Sequence, residues 1–104
     1  LELLRIAESD ELLFVTIRCE LCKENLIKCS QSLESLLSRI EKETIVDLSW
    51  CSGGDYFAVD LVRKIRIIAA ARGYRLRLIL TKEFEAMAER YKLDLGEKSA
   101  VYVV

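Results

Sequence analysis

One stretch constrains the fold of this chain more than any other: a short apolar run at residues 44–50, two adjacent glycines, and then a long segment of helical periodicity. Ile45, Val46, Leu48 and Trp50 are interrupted only by Asp47 and Ser49, which is the pattern of a strand covered on both faces. Gly53 and Gly54 free the backbone for a sharp turn, and Asp55 is a natural N-cap whose carboxylate can accept from the first N–H groups of a helix. A strand, a tight loop and a helix start make half of a βαβ unit. Such sheets meet ligands and partners at the carboxyl ends of their strands, so the loop at residues 51–55 is the first candidate for function.

The flanking segments extend the pattern. Residues 1–7 read as an edge strand closed by the turn-like Glu8-Ser9-Asp10-Glu11. In residues 12–19, Leu13, Val15, Ile17 and Cys19 alternate with Leu12, Phe14, Thr16 and Arg18, which fits a hairpin with the first strand. A helix is expected over residues 22–42, where Leu26, Leu33, Leu37 and Ile40 recur at helical spacing with Cys22 and Cys29 beside them. The helix after the glycine loop, residues 56–72, should bury Ala58, Leu61, Val62, Ile65, Ile68 and Ala69 and stop at Gly73. A strand over 75–81, a short helix over 82–91 with Phe84, Met87 and Ala88 inward, and a strand over 99–104 complete the order. That order, β-β-α-β-α-β-α-β, makes the later strands parallel, because helical crossovers join them. The predicted class is α/β, a single domain over residues 1–104 with an N-terminal antiparallel hairpin in a mixed sheet flanked by helices.

Composition narrows the function classes. At 104 residues the chain is long enough for one core, and it holds no apolar run near the ~18–20 residues that span a bilayer. No signal or transit pattern opens it, which predicts a cytoplasmic protein. One Asn and one Gln among many Glu, Lys and Arg residues suggest a thermophile; four cysteines run against that, unless disulfides form in its cytosol. Charge is uneven: residues 61–82 carry seven bases and no acid, inside a chain whose net charge is −1. Such a segment could meet an acidic protein, a phosphate or an anionic membrane. A solvated helix face plus strand ends is the plainer reading, and the absence of interleaved aromatics argues against nucleic acid.

The central stretch also resembles a known family. Asp47-Leu48-Ser49, a short turn to Asp55, a helix, Gly73 and a strand are similar to the STAS domain, named from sulfate transporters and anti-sigma factor antagonists. That family has this element order and carries Asp-Leu-Ser, a spacer and Asp-Ser-Ser-Gly-Leu. Laid on the chain without a gap, the family's second Asp falls on Asp55 and its phosphorylatable Ser or Thr on Tyr56. The motif match covers residues 44–81. The resemblance implies a non-catalytic regulatory module whose partner is an anti-sigma factor or a related kinase, met through residues 51–67, with no cofactor and no metal. A tyrosine hydroxyl sits roughly 4 Å further out than a serine hydroxyl, across a rigid ring, so the family's phosphoswitch is not expected at Tyr56.

Helix geometry points to the same surface. At 100° per residue, Tyr56, Asp60, Arg63, Ile67 and Ala70 fall on one stripe opposite the buried face. Tyr and Arg are favoured in binding hot spots, and Ile67 interrupts a charged stripe; single exposed apolar residues are also ordinary. The expected partner-binding residues are Asp55, Tyr56, Phe57, Asp60, Arg63 and Ile67. A thioredoxin-like oxidoreductase is the alternative, using Cys19 and Cys22 between a strand and a helix. Against it, the chain has no proline to place opposite the pair and its expected end is strand, helix, strand rather than an antiparallel hairpin. With no histidine, a metal site would need Cys19, Cys22, Cys29 and Cys51 together, and Cys29 lies about 10 Å along the helix from Cys22. Small buried apolar cysteines are the preferred reading.

Overall fold

A computed structural model of the protein describes residues 4–18, 20, 22–51, 56–94 and 100–104, with the side chains of Leu26 and Ser30 left outside the description. Its elements are β1 (Leu4–Glu8), β2 (Leu12–Ile17), α1 (Lys23–Leu37), β3 (Glu43–Asp47), α2 (Tyr56–Arg72), β4 (Leu76–Leu80), α3 (Lys82–Arg90) and β5 (Val101–Val103). They follow the order expected from the sequence. The strands form one five-stranded sheet in the order β1-β2-β3-β4-β5. The β1–β2 pair is antiparallel and the other pairs are parallel, so the fold is α/β with a mixed sheet.

Because the strands are adjacent in sequence order and crossovers are right-handed, each helix returns over the same side of the sheet. Register and burial agree with this. Leu13, Thr44 and Leu76 lie in one row, and Val15, Val46, Leu78 and Val101 in the next. These strand positions join Cys29, Leu33 and Leu37 of α1, Ala58, Val62 and Ile65 of α2, and Phe84 and Ala88 of α3 in the core or packed against it. The alternate positions Phe14, Ile45 and Ile79 face the other way, are half-buried, and lie outside that core. The central strand is therefore not covered by helices on both faces, as its apolar run suggests. One face is enough to bury Val46 and Leu48 fully.

Two further expectations are corrected. Strand β3 ends at Asp47, and Trp50, which the apolar run places in the strand, is 64% exposed. Helix α1 ends at Leu37 instead of residue 42. There Ser38 and Arg39 donate side-chain hydrogen bonds back to the Ser35 carbonyl, while the backbone N–H groups of Arg39 and Ile40 close tighter turns onto Leu36 and Leu37. The chain must reverse here to enter β3. Lys42 anchors the reversal, donating to the Ser9 carbonyl at 3.1 Å and pairing with Glu8 at 3.4 Å.

Helix α2 has the expected ends. Gly73 adopts φ +74°, a left-handed conformation that favours glycine, and its N–H bonds back to Ala69. Val59 joins the expected buried residues of α2, whereas Ile68 is only half-buried. Helix α3 is N-capped by Thr81, whose hydroxyl accepts from the Phe84 N–H at 3.1 Å. Phe84, Met87 and Ala88 point inward as expected.

Candidate functional site

The site begins where β3 ends. Asp47 is buried, and its Oδ1 accepts from the Ser49 N–H at 2.8 Å and from the Ser49 hydroxyl at 2.5 Å. This Asx-type turn ends the strand and gives the Asp-Leu-Ser sequence a local structural role. Leu48 stays in the core while its N–H continues the ladder to Ile79. Trp50 is turned outward, and the Cys51 thiol is drawn to the Ile17 carbonyl of the neighbouring strand at 3.2 Å. Of the loop residues singled out in the sequence, Ser52, Gly53, Gly54 and Asp55 lie outside the described residues, as does Cys19.

Helix α2 then presents two flanks. Tyr56 is 47% exposed, and its ring meets that of Tyr91, just past α3, edge-on at 5.6 Å. The Arg63 guanidinium stands 5.9 Å from the Tyr56 centroid. Ile67, 61% exposed, lies in line with them. Phe57, 43% exposed, turns about 100° round the helix from Tyr56 toward α1, where the Lys23 ammonium stands 5.5 Å from its ring. Asp60 lies between the flanks and pairs with Arg63 at 3.7 Å and Lys64 at 3.4 Å. The structure thus gathers Tyr56, Arg63 and Ile67 on one outward stripe, with Asp60 at its edge, and turns Phe57 toward α1 while its ring still meets that of Tyr56 edge-on at 6.3 Å.

Three residues that the sequence reading leaves unused complete this end of the molecule. Tyr91 supports Tyr56, Lys23 covers Phe57, and the Arg18 guanidinium stands 5.4 Å from the Trp50 ring. Each exposed ring from residue 50 to 57 therefore carries a cation over its face, supplied by a different element. Aromatic rings and arginines grouped at a protein surface have the composition of binding hot spots. The basic segment is less positive than its sequence suggests. Arg63 and Lys64 meet Asp60, Arg72 meets Glu41 at 3.1 Å, Arg77 meets Glu43 at 2.9 Å, and Arg66 donates to the Asp94 carbonyl. A solvated helix face with strand ends describes it well.

Cys29 is buried, while Cys22, directly before α1, and Cys51 are half-buried. Cys22 accepts no helix N–H through its side chain. Among the described residues no cluster of three metal-ligating side chains occurs. At the far end of the chain, β5 runs parallel to β4, unlike the antiparallel hairpin that ends a thioredoxin-like sheet. No helix among the described residues is long and apolar enough to cross a membrane.

Comparison with known proteins adds no family: no family model matches the chain, and no curated protein matches its sequence.

Proposed function

We propose that this protein is a STAS-like regulatory module that binds another protein, without catalysis, through residues 51–67, the loop before α2 and α2 as far as Ile67. The observation that carries this reading is the outward stripe of Tyr56, Arg63 and Ile67, which starts at the carboxyl end of the central strand and leaves a large aliphatic side chain 61% exposed about three turns along α2. An exposed Ile beside Tyr and Arg fits a surface that another protein covers. The Asp-Leu-Ser turn and the element order are the features shared with the family, and the family's partners suggest the partner class: an anti-sigma factor or a related kinase, met in the cytoplasm.

In this reading Tyr56 is a structural anchor, not a phospho-acceptor. Its ring is held between Tyr91 and the Arg63 guanidinium. Serine kinases align a short hydroxyl, which a ring held in this way does not offer. The test is affinity capture from an extract of the native cell, with parent protein and Ile67→Asp run side by side and bound proteins identified by mass spectrometry. A regulatory protein retained by the parent and lost by the variant supports the reading. The same proteins on both, or an enzyme substrate consumed by the parent, would contradict it.

A further inference from the structure

Between α1 and α2 runs an open groove of about 200 Å³, lined by Lys23, Ile27 and Glu34 from α1 and by Phe57, Asp60, Leu61 and Lys64 from α2. It lies on the Phe57 flank, away from the Tyr91 side of the stripe. Its upper half is apolar and open: Ile27 is 50% exposed and Phe57 nearly as much, with Leu61 buried at the floor. Small-molecule sites are usually larger, about 300–1,000 Å³, and more enclosed. A groove of this size suits one or two side chains of a protein segment.

Charge decides which kind of segment. The groove's Asp60 is already paired with Arg63 and Lys64, and Glu34 also has a partner. Lys23, at the start of α1, has no carboxylate partner among the described residues and rests on the Phe57 ring instead. Glu24, the next residue of α1, projects about 100° round the helix from Lys23. Among the described residues, the uncompensated charge at the Lys23 end of the groove is therefore positive, beside an apolar floor.

We propose that the α1–α2 groove binds an acidic amphipathic segment of a partner protein, seating an apolar side chain among Ile27, Phe57 and Leu61 and a carboxylate on Lys23. The Lys23 ammonium remains available, because cation–π contact leaves its outer side open to a second partner. The proposal rests on the reading that this end of the sheet meets a protein, and it adds a second contact point and a chemical class to it.

The test uses the isotopically labelled protein and two synthetic helical peptides with Leu at i, i+3, i+4 and i+7. One carries Glu at the remaining positions and the other Lys. Amide shift mapping should place the Glu peptide on Lys23, Ile27, Phe57, Leu61 and Lys64, with no response to the Lys peptide. Lys23→Glu and Phe57→Ala should each weaken binding by about tenfold or more. Phe57→Leu, which keeps an apolar side chain, should restore most of the loss and controls for folding. Ile67→Asp should leave the peptide affinity unchanged, so the groove and the stripe fail separately. The proposal is overturned by silence at these amides, by equal response to both peptides, or by a peptide footprint that Ile67→Asp removes. It is also overturned if oligothymidine, but not the Glu peptide, shifts the same amides, since the cations and rings would then form a nucleic-acid platform.

Discussion

The Tyr56 ring stands edge-on to the ring of Tyr91, centroids 5.6 Å apart and planes 71° apart, tying the first turn of α2 to the residue that follows α3. Edge-to-face pairs contribute about 0.5–1.5 kcal/mol beyond the area they bury. A double-mutant cycle with Tyr56→Leu and Tyr91→Leu should therefore return a coupling of about 1 kcal/mol in urea denaturation. A coupling of zero would mean that the two rings only share a surface, and that Tyr56 is not held in place.

Asp47 closes β3 by accepting two hydrogen bonds from Ser49. Hydrogen bonds to a charged group contribute about 1.5–3 kcal/mol, and loss of the acceptor leaves the Ser49 N–H without its partner. Asp47→Ala should lower stability by about 2 kcal/mol. Asp47→Asn, whose amide oxygen can still accept from the Ser49 N–H, should recover part of that. Equal stability of the parent and Asp47→Ala in urea melts would remove the structural role assigned to the Asp-Leu-Ser turn.

Tyr74 supplies a pH signature. Its hydroxyl is buried with no hydrogen-bond partner among the described residues, and burial raises its pKa above the ordinary value near 10, against an opposing pull from the Arg72 charge. The folded state thus holds the phenol proton more tightly than the unfolded chain. That contribution is complete below about pH 10 and is lost as pH climbs from there through the raised folded value. Tyr74→Phe should be neutral or slightly stabilising at pH 7, since it removes an unpaired buried hydroxyl. It should also lose less stability than the parent as pH rises above about 10. Parallel alkaline melts of the two proteins would show this as diverging midpoints; curves that stay parallel would contradict it.

Helix α2 is legible end to end, because Gly73 stops it and the apolar spacing of Ala58, Leu61, Val62 and Ile65 has one periodicity. Ile67 is legible as an outward residue by the same geometry. Trp50 is not: an apolar run counts it as buried, but its neighbour in space is Arg18 from the adjacent strand end, which no local pattern contains. Tyr91 and Lys23 are hidden for the same reason, as each meets an α2 ring across a long stretch of chain. The overrun of α1 has a different cause. Ile40 keeps helical spacing and still packs against the core, but from a turn that the reversal into β3 imposes. The open sheet face follows from strand order, which local sequence patterns do not reveal.

Cysteine chemistry separates the proposed module from its thioredoxin-like alternative. The half-buried Cys22 has no side-chain capping bond to α1 and no disulfide. Replacing Cys19 and Cys22 together with serine should leave partner binding intact, and the parent should not reduce insulin disulfides. Insulin reduction by the parent, abolished by either single change, would favour the oxidoreductase.

The central claim is that the outward stripe of α2 binds a partner. Its most direct measurement is calorimetric titration of the captured regulatory protein into the parent and into Ile67→Asp, with thermal melts of both. Ile67 is 61% exposed, so the substitution should shift stability by no more than about 0.5 kcal/mol. As a central anchor, its loss should weaken the complex by about 2 kcal/mol or more, and Arg63→Glu should reduce the affinity further at low salt than at high salt. An unchanged affinity for both variants, or a melt that collapses for Ile67→Asp, would contradict the account.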